Sequence, residues 1–146
     1  MLVLVRLTSS LLLLLVLSGC SALGLSPFLM GVEAPLEEPG GDRYPDVLAV
    51  ELVPHGDRVY DVRVTLSSPY DTPQRYADGW QVLDRVGNVL GTHTLLHDHA
   101  SEQPFTRTQR GLLIPDGIDE VTVQGRDQAN GFGGLSLTVE VPEPDA

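Results

Sequence analysis

Apolar and polar residues alternate along two stretches of this chain, residues 58–67 and 135–141. In the first stretch, apolar side chains are separated by the single polar residues Asp61, Arg63 and Thr65. A strand that buries one of its faces needs this period of two, because successive side chains point to opposite sides. Both stretches are therefore predicted to be β-strands with one face in a core.

Turn signals divide the rest of residues 46–142 into short segments of the same kind. Pro115-Asp116-Gly117 is a strong turn sequence, and Gly87-Asn88 lies between two apolar runs, as in a hairpin. No apolar stripe of helical period persists. The predicted strands cover residues 46–54, 58–67, 80–85, 89–96, 104–114, 119–127 and 135–141. This pattern predicts an all-β fold, an antiparallel β-sandwich, with a barrel as the alternative.

The last third of this region resembles the end of a fibronectin type III domain. The resemblance is carried by Ile114-Pro115-Asp116-Gly117, by Val121-Thr122-Val123, and by residues 131–136 with the strand that follows. Trp80 fits the third strand of such a domain or of an immunoglobulin-like one. The resemblance implies an immunoglobulin/fibronectin III-like β-sandwich of about seven strands. It implies an architecture and not a function.

The first twenty residues have the pattern of a secretory leader. Arg6 precedes the apolar run from Leu11 to Leu17, and two small residues then lead to Cys20, the only cysteine of the chain. The alternative is an uncleaved membrane helix. A bilayer requires about 20 apolar residues, and polar residues 8–10 interrupt this run, so the leader is favoured.

Leu17-Ser18-Gly19-Cys20 resembles the lipobox of bacterial lipoproteins at all four positions. The resemblance implies a signal peptide over residues 1–19, cleavage before Cys20, and acyl chains on the Cys20 sulfur and amino group. Two or more chains give stable anchoring, so the protein would be held on a membrane. In the sorting pattern of the family, Ser21 implies an outer membrane, with the protein facing the periplasm.

Residues 20–45 are predicted to form a flexible linker between the lipidated cysteine and the domain. Three prolines and four glycines lie between Ser21 and Tyr44, and no strand or helix period persists there. Residues 46–142 then form the β-sandwich domain, and residues 143–146 form a short C-terminal tail.

Composition excludes several classes of function. The formal net charge is -11, lysine is absent, and the arginines are scattered singly. Nucleic-acid binding requires clustered positive charge and is not expected. A single cysteine excludes an intrachain disulfide and a thiolate metal cluster. The chain has no Gly-x-Ser-x-Gly elbow and no cofactor motif, so a protein that is not an enzyme is predicted.

The densest polar segment contains His93, His97, His99 and Glu102, with Asp98 between two of the histidines. Imidazole and carboxylate ligands suit zinc or copper, and a His-x-His pair on an extended segment presents both rings on one side. The alternatives are a solvated turn whose side chains cap backbone groups, or a histidine that packs against Trp80 or hydrogen-bonds to Glu102.

Two other segments have a functional and a structural interpretation. Asp127, Asn130 and the following glycines could offer oxygen ligands to calcium, but a glycine-rich turn between two strands is favoured. Phe105, with the polar residues around it, either belongs to a protein-binding surface or docks into the core.

Two functions follow from these patterns. The first is a lipid-anchored envelope protein whose β-sandwich, without enzymatic activity, binds another protein or a component of the envelope. The alternative is a lipoprotein that binds copper or zinc through the histidine cluster.

Overall fold

The computed structural model describes residues 41–143, which form eight β-strands and no helix. Accordingly, these residues include no helix long and apolar enough to cross a membrane. The strands are β1 (Asp46–Pro54), β2 (Val59–Ser67), β3 (Ala77–Leu83), β4 (Val89–Thr94), β5 (Phe105–Leu113), β6 (Glu120–Asp127), β7 (Gly131–Phe132) and β8 (Leu137–Glu140). The predicted all-β class and the two-layer sandwich are confirmed.

All strand pairs are antiparallel and fall into two sheets. The first sheet has the order β1-β2-β5. The second has β4, β3 and β6 side by side, and both β7 and β8 pair with β6. The predicted strands all appear within a few residues of their expected bounds. The addition is β7, which forms where a turn was expected because Phe132 and Gly131 pair with the last two residues of β6.

The core lies between the two sheets and is filled by the alternation seen in the sequence. Four apolar side chains of β2 are fully buried, and β3 and β6 supply the opposite layer with Trp80, Val82, Val121 and Val123. Each buried aliphatic or aromatic side chain of this size stabilises the fold by about 1.5–3 kcal/mol relative to its exposed state. Phe105 is also buried among these residues, so it docks into the core.

One buried hydrogen bond joins the two sheets. The indole N–H of Trp80 on β3 donates to the side-chain carbonyl of Gln109 on β5, at 3.0 Å. Gly91 of β4 lies over this pair, and a Cβ there would meet the ends of Leu112 and Gln109. A glycine at this position therefore lets the edges of the two sheets approach each other.

The sandwich has two ends, which differ in their loops. At one end lie the loops 68–76, 95–104 and 128–130, together with residues 41–45, which lead into β1. We call this the tether end. The far end carries the loops 55–58, 84–88 and 114–119. The last described residues also lie there, because Val141 donates its backbone N–H to Asp119 and Tyr60 donates its hydroxyl to Pro142.

The two residues immediately before β1 pack against the domain. Pro45 is buried, and its carbonyl and ring lie against Gly125 of β6 and Gly134 of the segment between β7 and β8. The ring of Tyr44 lies against Gly133 in the same way. The sequence did not indicate these contacts, because a proline and a tyrosine after a glycine-rich segment read as the end of a linker.

Candidate functional site

His97 and His99 lie in the 95–104 loop at the tether end, where their rings and that of Phe105 are in contact. The rings of His97 and His99 have centroids 4.7 Å apart, and His99 stacks on Phe105 at 3.9 Å with an angle of 11° between the ring planes. Phe105 is fixed because it is the first residue of β5 and is buried. The core therefore holds the ring of His99, and the exposed ring of His97 lies beside it.

His99 is almost completely buried, and its Nδ1 atom has no hydrogen-bond partner within residues 41–143. Burial lowers the pKa of this imidazole, and the positive charge of Arg107 lowers it further. Both effects favour the neutral ring, because a charged ring in this position would lose its hydration. His99 is thus a neutral, packed side chain at neutral pH.

Hydrogen bonds to the backbone hold the loop around His99. Asp71 accepts from the backbone N–H groups of His99 and Ala77, at 3.1 and 3.0 Å. The amide of Gln103 donates to the carbonyl of His99 at 3.2 Å and also binds both the backbone and the hydroxyl of Ser68. The 68–76 and 95–104 loops are therefore linked by buried polar groups whose hydrogen bonds offset the loss of water.

Glu102 does not face the histidine rings as a free ligand. Both of its carboxylate oxygens accept from one nitrogen of Arg107, at 2.9 and 3.1 Å. These hydrogen bonds lower the pKa of Glu102. The carboxylate is paired on the surface of the loop.

His93 lies apart from the other two rings, on β4. Its ring stacks on the indole of Trp80, with the centroids 4.3 Å apart, and burial lowers its pKa. The structural alternative for one histidine, packing against Trp80, is confirmed for His93.

The structure does not bring the four predicted ligands together. Among residues 41–143, no group of three or more histidine, cysteine or carboxylate side chains is placed to hold a metal ion. His97 and His99 are neighbours, but Glu102 is paired with Arg107 and His93 with Trp80. The expected three-imidazole arrangement is thus absent from this part of the chain, because the apolar core holds two of the rings. Metal binding by the remaining pair stays a prediction.

A second polar cluster at the tether end surrounds Asp127, whose side chain is fully buried. One of its oxygens accepts from the backbone N–H groups of Ala129 and Asn130 and from the Asn130 amide, at 3.0, 2.8 and 2.6 Å. Arg75 adds an ion pair through its Nε, at 3.1 Å. Burial raises the pKa of Asp127, but these hydrogen bonds and the charge of Arg75 together hold it below its usual value. With its oxygens engaged by these donors, Asp127 closes a turn, which is the structural alternative to calcium binding.

Arg75 and Asn130 also hold the segment that leads into the domain. A terminal nitrogen of Arg75 donates to the backbone carbonyls of Asp42 and Arg43, at 2.8 and 2.9 Å, and the Asn130 amide donates to Arg43 at 3.3 Å. We call Arg75, Asp127 and Asn130 the clamp. Sequence reasoning missed it. The Asp127 and Asn130 spacing is a turn signal, but nothing in the sequence points to Arg75 as their partner.

Tyr70 packs on the clamp. The guanidinium of Arg75 lies 4.5 Å from the centre of the Tyr70 ring, a cation–π contact. The Tyr70 hydroxyl is buried and lacks a hydrogen-bond partner in the described part of the chain. Burial raises the pKa of this hydroxyl, and the charge of Asp127 raises it further. The residue therefore stays neutral and acts as a packing surface for Arg75.

The far end has a shallow cleft of about 210 Å³ between the β3–β4 and β5–β6 loops. Arg85 lies in its wall and donates to Glu120 at 2.8 Å and to Asp119 at 3.3 Å. The guanidinium is therefore already neutralised by neighbouring carboxylates.

Comparison with known proteins finds a relative from Halomicrobium mukohataei that is named "Putative lipoprotein". It is 40% identical to this chain over 98 residues, which are 67% of this chain and 48% of the relative. This chain thus spans about half the length of that protein. No family model matches the sequence, and no solved structure matches it. The chain is similar to a protein named as a lipoprotein, and its likeness to fibronectin domains stays a prediction.

Proposed function

We propose that this protein is a lipid-anchored lipoprotein of the cell envelope whose β-sandwich is a binding module without enzymatic activity. The observation that carries the proposal is the sequence Leu17-Ser18-Gly19-Cys20, which resembles a lipobox at all four positions. The name of the Halomicrobium relative supports the same class of protein. Cys20 and its leader lie outside the described residues, so its lipidation is proposed from the sequence.

The clamp supports an arrangement in which the domain is attached at one end. Arg75 and Asn130 bind the backbone of residues 42 and 43, which fixes the end of the linker on the loops of the tether end. The loops of the far end then point away from the linker. Residues 20–41 can span roughly 70–80 Å when fully extended, so the domain can act well away from a membrane surface.

The tether-end chemistry supports binding rather than catalysis. His99 is the buried histidine, and it stacks on Phe105 while its backbone is held by Asp71. A general base must instead reach the proton that it abstracts, and a buried ring between two other rings is poorly placed to do so. A partner among the envelope proteins is therefore proposed in place of a substrate.

Replacement of Cys20 tests the anchor. We expect Cys20→Ala to abolish incorporation of labelled fatty acid and to move the protein out of the membrane fraction. Ser10→Ala, in the same leader but outside the four-residue motif, serves as the matched control and should be labelled normally. Fatty-acid labelling that persists in Cys20→Ala would refute the proposal.

The finer location rests on Ser21 alone. In the lipoprotein sorting pattern a serine at this position favours the outer membrane, and it applies only in a cell with two membranes. In such a cell we propose an outer-membrane anchor with the domain facing the periplasm. Fractionation of wild type and Ser21→Asp tests this, because aspartate should shift the protein to the inner membrane.

A further inference from the structure

The edge strand β4 differs from the other sheet edges in its side chains. β4 consists of Val89, Leu90, Gly91, Thr92, His93 and Thr94, with no acidic residue, arginine or proline. Natural proteins usually protect an exposed edge with charge, proline or a bulge, because its free backbone groups can pair with another strand. A β-bulge near Leu90 interrupts the start of β4, but residues 91–94 remain in regular pairing with β3.

The backbone of Thr92 and Thr94 faces away from β3. Leu95 donates its N–H to Asp78 of the neighbouring strand at 2.9 Å, and in an antiparallel pair such bonds recur at every second residue. His93 and Gly91 therefore bond toward Trp80 and Val82, their register partners. The N–H and C=O groups of the two intervening threonines point outward, and both side chains are exposed.

The other edges are protected in ways that β4 is not. β1 carries Asp46, Glu51 and Pro54, and its Val47 N–H is already bound to Leu135. β5 carries two arginines and a glycine with φ of +68°, at which its regular run is bent. β8 has four residues and ends in Glu140.

Symmetry makes this difference decisive for pairing between two copies of the chain. A two-fold axis places each edge antiparallel beside its own copy, so a charged residue near the axis lies close to the same residue of the other copy, and like charges this close are destabilising. A β1, β5 or β8 that self-pairs with its axis near Glu51, Arg107 or Glu140 would bring like charges together. A self-paired β4 brings together only uncharged side chains and histidine.

We propose that β4 pairs antiparallel with β4 of a second copy of this chain, so that the two second sheets join into one. In the register that pairs every outward-pointing backbone N–H and C=O group of these threonines, Thr92 lies opposite Thr94 of the second copy. His93 then lies on the two-fold axis. The two threonine pairs then form four backbone hydrogen bonds.

This register also covers exposed apolar residues. Leu96 follows β4 and is 84% exposed, and Val89 at the start of β4 is 54% exposed. Because the two strands run in opposite directions, Leu96 of one copy comes near Val89 of the other. Their burial adds a hydrophobic contribution to the backbone bonds.

Charge sets the condition under which the copies associate. Each chain carries a formal net charge of -11, so two copies repel each other at low ionic strength. Salt shortens the range of this repulsion from about 10 Å at 0.1 M to about 3 Å at 1 M. Association should therefore strengthen as salt is added.

Sedimentation velocity on the full chain tests the proposal, with Cys20→Ser included so that no acyl chain adds micelle mass. We expect a monomer–dimer equilibrium whose Kd falls about tenfold or more between about 0.1 M and 1 M NaCl. Thr92→Glu and Thr94→Glu should each raise the Kd about tenfold or more by placing carboxylates across the axis. Thr138→Glu, at an exposed threonine on β8, is the matched control and should leave the Kd unchanged.

Disulfide trapping gives a second measurement that does not depend on carboxylate variants. In the Cys20→Ser background, Thr92→Cys mixed with Thr94→Cys should form a disulfide dimer under mild oxidation, whereas Thr92→Cys mixed with Thr138→Cys should not. A chain that stays monomeric at about 1 M NaCl overturns the proposal. So does a dimer that Thr138→Glu weakens as much as Thr92→Glu does, or a dimer trapped at residue 138. None of these outcomes depends on lipidation, so failure here is distinct from failure of the proposed anchor.

Discussion

His99 shows how a single residue with functional chemistry can serve the core of a protein. Its ring lies between His97 and Phe105, and its neutral form is favoured because a charged ring would be buried without hydration. The imidazole therefore contributes stability only while it stays unprotonated. Its unpartnered Nδ1 means that an apolar ring of similar shape could replace it at little cost.

The depressed pKa of His99 predicts that stability falls in mild acid. In the unfolded chain the imidazole takes up a proton near pH 6.5, whereas the folded chain binds that proton only at lower pH. The contribution is therefore fully present above pH 6.5 and is lost as the pH falls toward the folded pKa. Urea unfolding at several pH values should show a decrease of at most about 1.4 kcal/mol per pH unit from this group.

The variant His99→Phe should reduce this pH dependence while keeping the stack on Phe105. His93 also has a pKa lowered by burial, so a smaller slope should remain and should decrease further in the double variant with His93→Phe. A single variant whose stability follows pH as steeply as wild type would show that the slope has another origin.

The clamp predicts a large effect of one arginine. Arg75→Gln leaves the buried Asp127 carboxylate without its ion-pair partner and releases the carbonyls of Asp42 and Arg43. We expect a loss of about 2–3 kcal/mol in the free energy of unfolding, below the full range for a buried pair because Arg75 is 35% exposed. Proteolysis near residue 43 should also become faster.

Arg63→Gln is the matched control for Arg75→Gln. Arg63 pairs with Glu51 at 2.7 Å on the outer face of the first sheet, where both side chains are more than half exposed. Its loss should lower the unfolding free energy by less than about 1 kcal/mol. If the two variants lost equal amounts of unfolding free energy, the burial of Asp127 would not explain the stabilisation by the clamp.

At the scale of elements, the pairing of β3 with β4 depends on one glycine. Gly79 of β3 has a φ of +152°, and a Cβ at this position would overlap the backbone carbonyl oxygen of His93 on the neighbouring strand. That oxygen cannot move without shifting β4, because it belongs to the strand ladder. The backbone of β4, and not neighbouring side chains, therefore excludes a side chain at residue 79.

Gly79→Ala should therefore destabilise the domain by about 3 kcal/mol or more, as measured by urea or thermal unfolding. Gly117→Ala is the matched control. It also has a positive φ, +82°, but no atom lies within 4 Å of the added carbon, so strain of about 1–2 kcal/mol is the expected effect. An alanine tolerated equally well at both positions would contradict the role of the His93 carbonyl.

The sequence predicted the elements far better than it predicted the clusters. Alternation in β2 and turn sequences such as residues 115–117 are local, so strand positions could be read without knowing the fold. The clamp joins residues 42, 75 and 127, and no local pattern links positions so far apart. The prediction for the histidine segment was wrong for the same reason. The spacing suggested that the rings converge, but His99 stacks on Phe105 and His93 stacks on Trp80.

At the scale of the whole molecule, charge dominates the expected response to solvent. The formal net charge of -11 lies on a chain of 146 residues, and its self-repulsion opposes the compact state. We expect Tm to rise by several degrees between about 0.1 M and 1 M NaCl, because about 1 kcal/mol of relieved repulsion corresponds to roughly 4–8 °C for a domain of this size.

An osmolyte separates this charge effect from a general strengthening of burial. Sucrose also stabilises compact states, but it does not screen charge. The dependence of Tm on salt should therefore be steepest at low ionic strength, where screening changes most, whereas the dependence on sucrose should be gradual. A Tm that does not change over the low-salt range would show that the acidic surface has little influence on folding.

The clamp and the position of the last described residues also determine how the domain carries mechanical load. Residue 42 is bound at the tether end, whereas Val141 and Pro142 are bound at the far end. In the proposed arrangement, a pull between the anchor and a partner bound at the far end would therefore run lengthwise along the strands. The nine-residue β1 then loads its ladder to β2 in shear, with its hydrogen bonds strained together rather than one after another. The contacts of Arg75 with residues 42 and 43 would yield first, and the sheet beneath them would resist.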